Sequence, residues 1–138
     1  MKANLVTRAL AAILASSTAA AQPLPDAPPA AGRTLYAKNC AACHQADGRG
    51  IPGAFPPRAG SPVLAGPPAD AAEVLLKGRG GMPDFSGSLD DAEIAQVLSY
   101  VRASWGNGAA PVSGAEIEAR RAALQVGPAV RSRFGNKH

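Results

Sequence analysis

Apolar residues recur at helical spacing in "LDDAEIAQVLSYVRASWGN": Ile94, Val97, Leu98 and Val101 stand at i, i+3, i+4 and i+7. That pattern predicts a helix with one buried face. Asp90, Asp91 and Glu93 crowd its start, where the helix dipole favours negative charge. A second pattern, Val74, Leu75 and Leu76 in "PADAAEVLLKG", predicts a short helix that begins after Pro68 and stops at Gly78. In "GRTLYAKNC", Leu35 and Tyr36 precede Cys40 by about one turn, on a short helix expected to run into the Cys40–Cys43 segment. Between these helices "GIPGAFPPRAGSP" is too rich in proline and glycine for regular structure, so it is expected to be a loop packed on some other body. The chain carries no Val/Ile-rich runs of the kind that build a parallel sheet.

Past residue 108 the pattern changes. Ser113 and Glu116 have the spacing of a capping box and predict a short helix from about Gly114 to Gln125. Ile117 and Leu124, seven apart, would form a narrow apolar seam on it. Three readings of this extension stand open: a helix packed back on the domain, a partner-binding arm, or disorder. Its end carries Arg131, Arg133 and Lys137 and no acid, which suits either an acidic partner or a solvated terminus.

The first 21 residues read as a secretory signal: Lys2 and Arg8, an apolar run from Ala9 to Ala15, and an A-x-A site at Ala19 and Ala21. The run is much shorter than the ~20 residues that span a bilayer, so no transmembrane segment is expected after cleavage. A mature chain starting at Gln22 has 117 residues, one domain's worth, and a formal charge of +2 instead of +4. So mild a balance argues against nucleic acid as a partner. The organisation expected is a signal at 1–21, a Pro/Ala-rich linker at 22–29, a domain at 30–108 and an extension at 109–138. Export places the protein in the periplasm.

Both cysteines of the chain lie in "CAACH", with His44 directly after Cys43. In an oxidising compartment a Cys40–Cys43 disulfide is one reading, but a redox C-x-x-C usually sits in a βαβ setting that this chain lacks. A tetrahedral zinc site needs about four ligands, and beyond these three only the terminal His138 offers a nitrogen. C-x-x-C-H is also the spacing of c-type haem attachment. Residues i and i+3 share a helix face, so both thiols can reach one macrocycle edge and form thioethers with its vinyl groups. His44 then offers an imidazole to the iron. One motif predicts one haem c.

Met82 is the only methionine left after the signal, and it stands in "GRGGMPDF" between two glycines and Pro83. A gap-filling core role is the ordinary use of methionine, yet this one lies on a loop outside any helical periodicity. Small residues let such a loop approach closely, and Pro83 stiffens it. Met82 is therefore expected as the second axial ligand of the iron, a known pairing with histidine.

Together "CAACH", "GIPGAFPP", "GGMPDF" and "VLSYVRASWGN" resemble the class I cytochromes c over roughly residues 30–108, and the Trp-Gly-Asn ending is similar to small cytochrome subunits and domains of periplasmic dehydrogenases. The resemblance implies an all-α fold of the class I cytochrome c kind, helices wrapped around one haem. It also implies that the first and last helices of that fold cross near Gly32, Tyr36 and Tyr100. It further implies that the Pro56 carbonyl accepts the N–H of the iron-bound imidazole. Two positions later the family usually has leucine, and here stands Arg58, which suits a propionate or plain solvent.

The function expected is one-electron transfer without chemistry on a substrate. The donor and acceptor would be redox proteins: a periplasmic dehydrogenase, a terminal oxidase or another cytochrome. A small contact surface at the haem edge, rimmed by Lys38, Arg49 and Lys77, would suffice. Two alternatives remain: a permanent electron-transfer subunit of a dehydrogenase complex, and a haem enzyme or gas sensor, which would need an open iron position.

Overall fold

Gly32 decides how the two longest-range partners of the fold meet. A methyl group there would lie 2.1 Å from the Gln96 carbonyl oxygen and 2.7 Å from Tyr100 Cβ, so only glycine lets the first helix cross the fifth. The computed structural model describes residues 29–130. The expected signal at 1–21, residues 22–28 of the linker, and Arg131, Arg133 and Lys137 lie outside the described residues. Six helices follow one another: α1 (Ala30–Asn39), α2 (Ala41–His44), α3 (Pro62–Ala65), α4 (Pro68–Lys77), α5 (Asp91–Ala103) and α6 (Gly114–Ala123). Among the described residues extended pairing is limited to single bridges, Ile51 with Phe55 and Arg79 with Met82. The fold is all-α.

The crossing near Gly32, Tyr36 and Tyr100 is present. Tyr36 is buried, packs its ring 5.6 Å from that of Tyr100 and 5.1 Å from that of Trp105, and donates its hydroxyl to the Gln45 carbonyl at 2.9 Å. Burial drives its pKa far above the ordinary phenol value, so the hydroxyl remains a donor. Trp105 in turn lies on Gly48, where a Cβ would sit 2.6 Å from the indole and φ is +70°. The aromatic trio thus clamps the start of the proline-rich loop to the end of α5.

In α5 the predicted face of Ile94, Val97, Leu98 and Val101 is buried, and Ala95, Ser99, Tyr100 and Arg102 are buried too. The helix is enclosed more widely than its pattern suggests, because α1, α6 and a cavity occupy different sides of it. Its acidic start is a capping box: the Glu93 N–H donates to Asp90 Oδ1 at 2.8 Å, and the Asp90 N–H to Glu93 Oε2 at 3.0 Å. In α4 Pro68 is the first helical residue rather than the one before it, the position where a missing N–H costs nothing.

Two local expectations are corrected. The first helix stops at Asn39, since Cys40 has φ −124° and ψ −33°, and α2 restarts the chain in a new direction at Ala41. The proline-rich segment is followed by an unpredicted turn of helix, α3, which buries Leu64.

The extension packs back on the domain. Val112 exchanges two hydrogen bonds with the Ser99 hydroxyl, at 2.9 and 3.1 Å, and buried Arg102 holds Ala110 O at 2.7 Å. The predicted Ser113–Glu116 capping box starts α6. Ile117 has no exposed surface and Leu124 packs partly against the core, so the seam of seven is real. Between them lies buried Arg121, and the Arg120–Glu73 pair ties α6 to α4.

Candidate functional site

A cavity of about 490 Å³ opens between α2, the loop after it, α4 and α5. Val97, Leu98 and Val101 of α5 line it, so the most regular apolar pattern of the sequence serves a cavity as well as a helix interface. It brings Cys40, Cys43, His44, Pro56 and Met82 together, five positions spread over three separate segments. A cavity so apolar, with a few convergent polar groups, is the usual form of a cofactor site.

The Cys40 carbonyl accepts N–H bonds from Cys43 at 3.2 Å and His44 at 2.9 Å, which winds the one-turn helix α2. This winding puts both thiols in the wall of one cavity. Both are free and half-buried. Burial, with the neighbouring Cys43 adding to it, pushes the Cys40 thiol up to about 11, so it is held as the protonated thiol rather than as a metal-binding thiolate. Among the described residues no group of three or more His, Cys, Asp and Glu gathers to hold a bare metal ion.

His44 is buried, and its Nδ1 lies 2.9 Å from the Pro56 carbonyl oxygen. A carbonyl can only accept, so the ring proton sits on Nδ1 and Nε2 keeps a lone pair. Burial lowers the imidazole pKa, the Pro56 bond partly opposes this, and Arg58 lowers it further. Pro56 is positioned by Gly50, where φ is +67° and a Cβ would meet Phe55 O at 2.3 Å. The "GIPGAFPP" loop therefore folds back on itself through the Ile51–Phe55 bridge to aim one carbonyl at one imidazole.

Met82 arrives on the loop between α4 and α5. Arg79 and Met82 exchange backbone bonds at 3.2 and 3.0 Å, and the Phe85 N–H donates to Leu75 O at 2.7 Å. The glycine that this loop needs most is Gly78: φ is +73° and a Cβ would lie 2.6 Å from Met82 O. Gly80 and Gly81, expected to allow the close approach, have open space around them; Gly80 instead serves through its φ of +59°.

Lys38, Arg49 and Lys77, expected to rim a contact surface, are exposed. The cavity itself is lined by two other basic side chains, Arg58 and Arg79. Arg58 Nη2 lies 3.4 Å from the same Pro56 oxygen, and its buried Nε has no partner. Asn107 holds the Arg58 backbone in place, donating to Arg58 O at 3.0 Å and Val101 O at 2.8 Å while accepting from Gly60 N at 2.8 Å. The departure from leucine marked Arg58 in the sequence, but nothing local predicted that its Nε would be buried without a partner.

These features fit haem c. The cavity supplies two thiols beside one another, an imidazole with its outer nitrogen free and its inner one anchored, a thioether from a second segment, and an orphaned guanidinium nitrogen suited to a carboxylate. An all-α fold around such a pocket defines a c-type cytochrome domain.

The chain belongs to the cytochrome c family described as cytochrome c oxidase, cbb3-type, subunit III, which matches residues 27–101. It is 38% identical over 104 residues to the cytochrome c subunit of alcohol dehydrogenase (quinone) of Gluconobacter oxydans, covering 66% of this chain and 22% of that protein. It is 32% identical over 119 residues to the gluconate 2-dehydrogenase cytochrome c subunit of Pantoea cypripedii, covering 76% and 26%. Cytochrome c-552 of Thermus thermophilus is 38% identical over 111 residues, covering 66% of this chain and 84% of that protein. The chain thus spans about a fifth to a quarter of the dehydrogenase subunits it matches. It is a class I c-type cytochrome, an electron carrier of a family whose cofactor is haem c.

Proposed function

We propose that this chain carries single electrons in the periplasm between a dehydrogenase and a downstream acceptor. One haem c would be attached through Cys40 and Cys43, and His44 and Met82 would hold its iron. The observation that carries the reading is the meeting of Cys40, Cys43, His44 and Met82 in one apolar cavity, with His44 Nδ1 anchored on Pro56. Haem held there supplies an iron that takes up and returns one electron.

The chain's own residues do the rest. Pro56 fixes the imidazole's tautomer and orientation, as a partner in the outer coordination shell does. Leu98 and Val101 line the cavity with apolar surface and would keep water away from a haem held there. Met82, a soft neutral donor, would favour the reduced state of an iron held there. Arg58 supplies positive charge and a donor for an anionic substituent. Partly exposed Phe55 lies at the mouth and offers an apolar contact to a redox partner.

The organisation we propose is a cleaved signal at 1–21, a linker at 22–29, the cytochrome domain at 30–108 and the extension at 109–138. Among the described residues no helix is long and apolar enough to cross a membrane.

A second reading, a permanent subunit of a dehydrogenase, is favoured by the relatives that are themselves dehydrogenase subunits. Deleting residues 112–138 does not separate the two readings, because Val112 and Ile117 are core residues. Affinity capture of the tagged full chain from periplasmic extract does. A stoichiometric dehydrogenase supports the subunit, whereas recovery of the chain alone supports the free carrier.

Denaturing mass spectrometry of the exported protein tests the cofactor and the signal together. The mass of one haem added to a chain starting at Gln22 is expected. An unmodified chain with a Cys40–Cys43 disulfide would overturn the proposal.

A further inference from the structure

Arg121 is the most heavily engaged side chain outside the cavity. Its guanidinium is buried and donates four ways: Nε to Asp91 Oδ1 at 2.7 Å, Nη1 to Ser86 O at 3.0 Å and Gly127 O at 2.7 Å, and Nη2 to Leu89 O at 3.3 Å. Two of the four acceptors, Ser86 and Leu89, belong to the loop that carries Met82. Just beyond α6, the Val130 N–H adds a bond to Gly87 O at 3.2 Å. The first half of the loop is held by α4, through Phe85 N to Leu75 O. The carbonyls of its second half are held from the extension. That extension lies beyond the residues matched by the family, which end at 101.

We propose that α6 and Arg121 form a brace for the methionine loop, so that the extension sets how firmly Met82 stays in the cavity. Arg121 is a positioning residue. It does not line the cavity, and acts by fixing the backbone that follows Met82. A planar guanidinium suits this work because its donors point along fixed directions, and here they converge on three chain segments at once. Charge-assisted bonds in a buried setting are the strong ones. Asp91 supplies the counter-charge from the first turn of α5, so the brace also locks the loop to the helix that lines the cavity. The inference rests on Met82 being an axial ligand, and the test separates the two.

The test uses haem-loaded, full-length protein in four forms: wild type, Arg121→Met, Arg121→Lys and Glu73→Gln. The last weakens only the Arg120–Glu73 attachment of α6 to α4, by removing its charge, and controls for general loosening. Ferric protein is mixed with cyanide, whose binding requires the thioether to leave. Arg121→Met should bind cyanide roughly tenfold faster or more. Arg121→Lys should recover part of the wild-type rate, and Glu73→Gln should match wild type. Hydrogen exchange at Ser86–Leu89 is followed in parallel and does not depend on what Met82 ligates. It should accelerate in Arg121→Met at least as much as the cyanide rate does. Unchanged exchange in Arg121→Met overturns the brace, as does an equal acceleration of cyanide binding in Glu73→Gln. Faster exchange with cyanide binding already immediate in wild type would leave the loop contact standing and remove Met82 as ligand, so the proposal as stated fails.

Discussion

His44 Nδ1 donates to the Pro56 carbonyl oxygen at 2.9 Å, and that oxygen also lies within 3.4 Å of Arg58 Nη2. One acceptor thus serves an imidazole and a guanidinium, and the two compete. A weakened bond from the imidazole makes it a poorer electron donor, and the cation beside it opposes further positive charge on an iron in the cavity. Both effects favour the reduced state. Arg58→Leu, the residue usual at this position in the resembling family, should lower the midpoint potential by roughly 40 mV, the equivalent of about 1 kcal/mol for a unit charge in a partly screened setting. Redox titration checks this, and an unchanged or higher potential would contradict it.

Met82→Ala should leave the haem covalently attached but abolish the long-wavelength absorption of methionine-ligated ferric haem, and should open the ferrous iron to carbon monoxide. Visible spectra with and without the gas decide the matter. Ready carbon monoxide binding by the wild type would move the gas-sensor or enzyme reading ahead.

Gly32→Ala should be among the most damaging single methyl additions. The added carbon would overlap Gln96 O at 2.1 Å, a backbone atom in mid-helix that cannot turn aside, so α1 must lift off α5. A loss of about 3 kcal/mol is expected by chemical denaturation, at the upper end for overpacking.

Ile117→Ala tests whether the extension belongs to the core. Ile117 is fully buried, so its truncation should cost about 2–5 kcal/mol in the same cooperative transition as the rest of the domain. A separate early transition, with the main one unmoved, would mean that α6 is an appendage.

Acid should loosen α6 before the rest of the domain. Glu116 Oε2 accepts from the Ser113 N–H and from the Ser113 hydroxyl, each at 2.8 Å, and these bonds hold its pKa below the ordinary value of 4.5. A depressed carboxyl contributes stability that is complete above the unfolded value and is lost as pH falls through the folded one. Protection from hydrogen exchange at the start of α6, relative to the intrinsic amide rate at each pH, should therefore fall below about pH 4.5 in wild type. In Glu116→Gln the start of α6 should be less protected than in wild type at neutral pH and should lose less protection on acidification.

Periodicity and spacing alone determined the helices α4, α5 and α6, the capping box at Ser113, the C-x-x-C-H motif and the isolated methionine, because each is a local pattern whose physics acts within a turn or two of chain. Even the seam of Ile117 and Leu124 was legible before its partner was known. Tertiary structure decided everything that depended on a meeting of distant segments. Gly78, rather than Gly80 or Gly81, takes the close approach, since its neighbour is Met82 O, brought back by a bridge at Arg79. The break at Cys40 cannot be read from "YAKNCAACH", because the turn there follows from Tyr36 and Trp105 clamping the chain on both sides of α2. Arg121 looks like an ordinary surface cation in sequence, and only packing takes its guanidinium, and the Nε of Arg58, out of water. Their donors are satisfied, or left waiting, by backbone carbonyls from segments that no local pattern could have placed beside them.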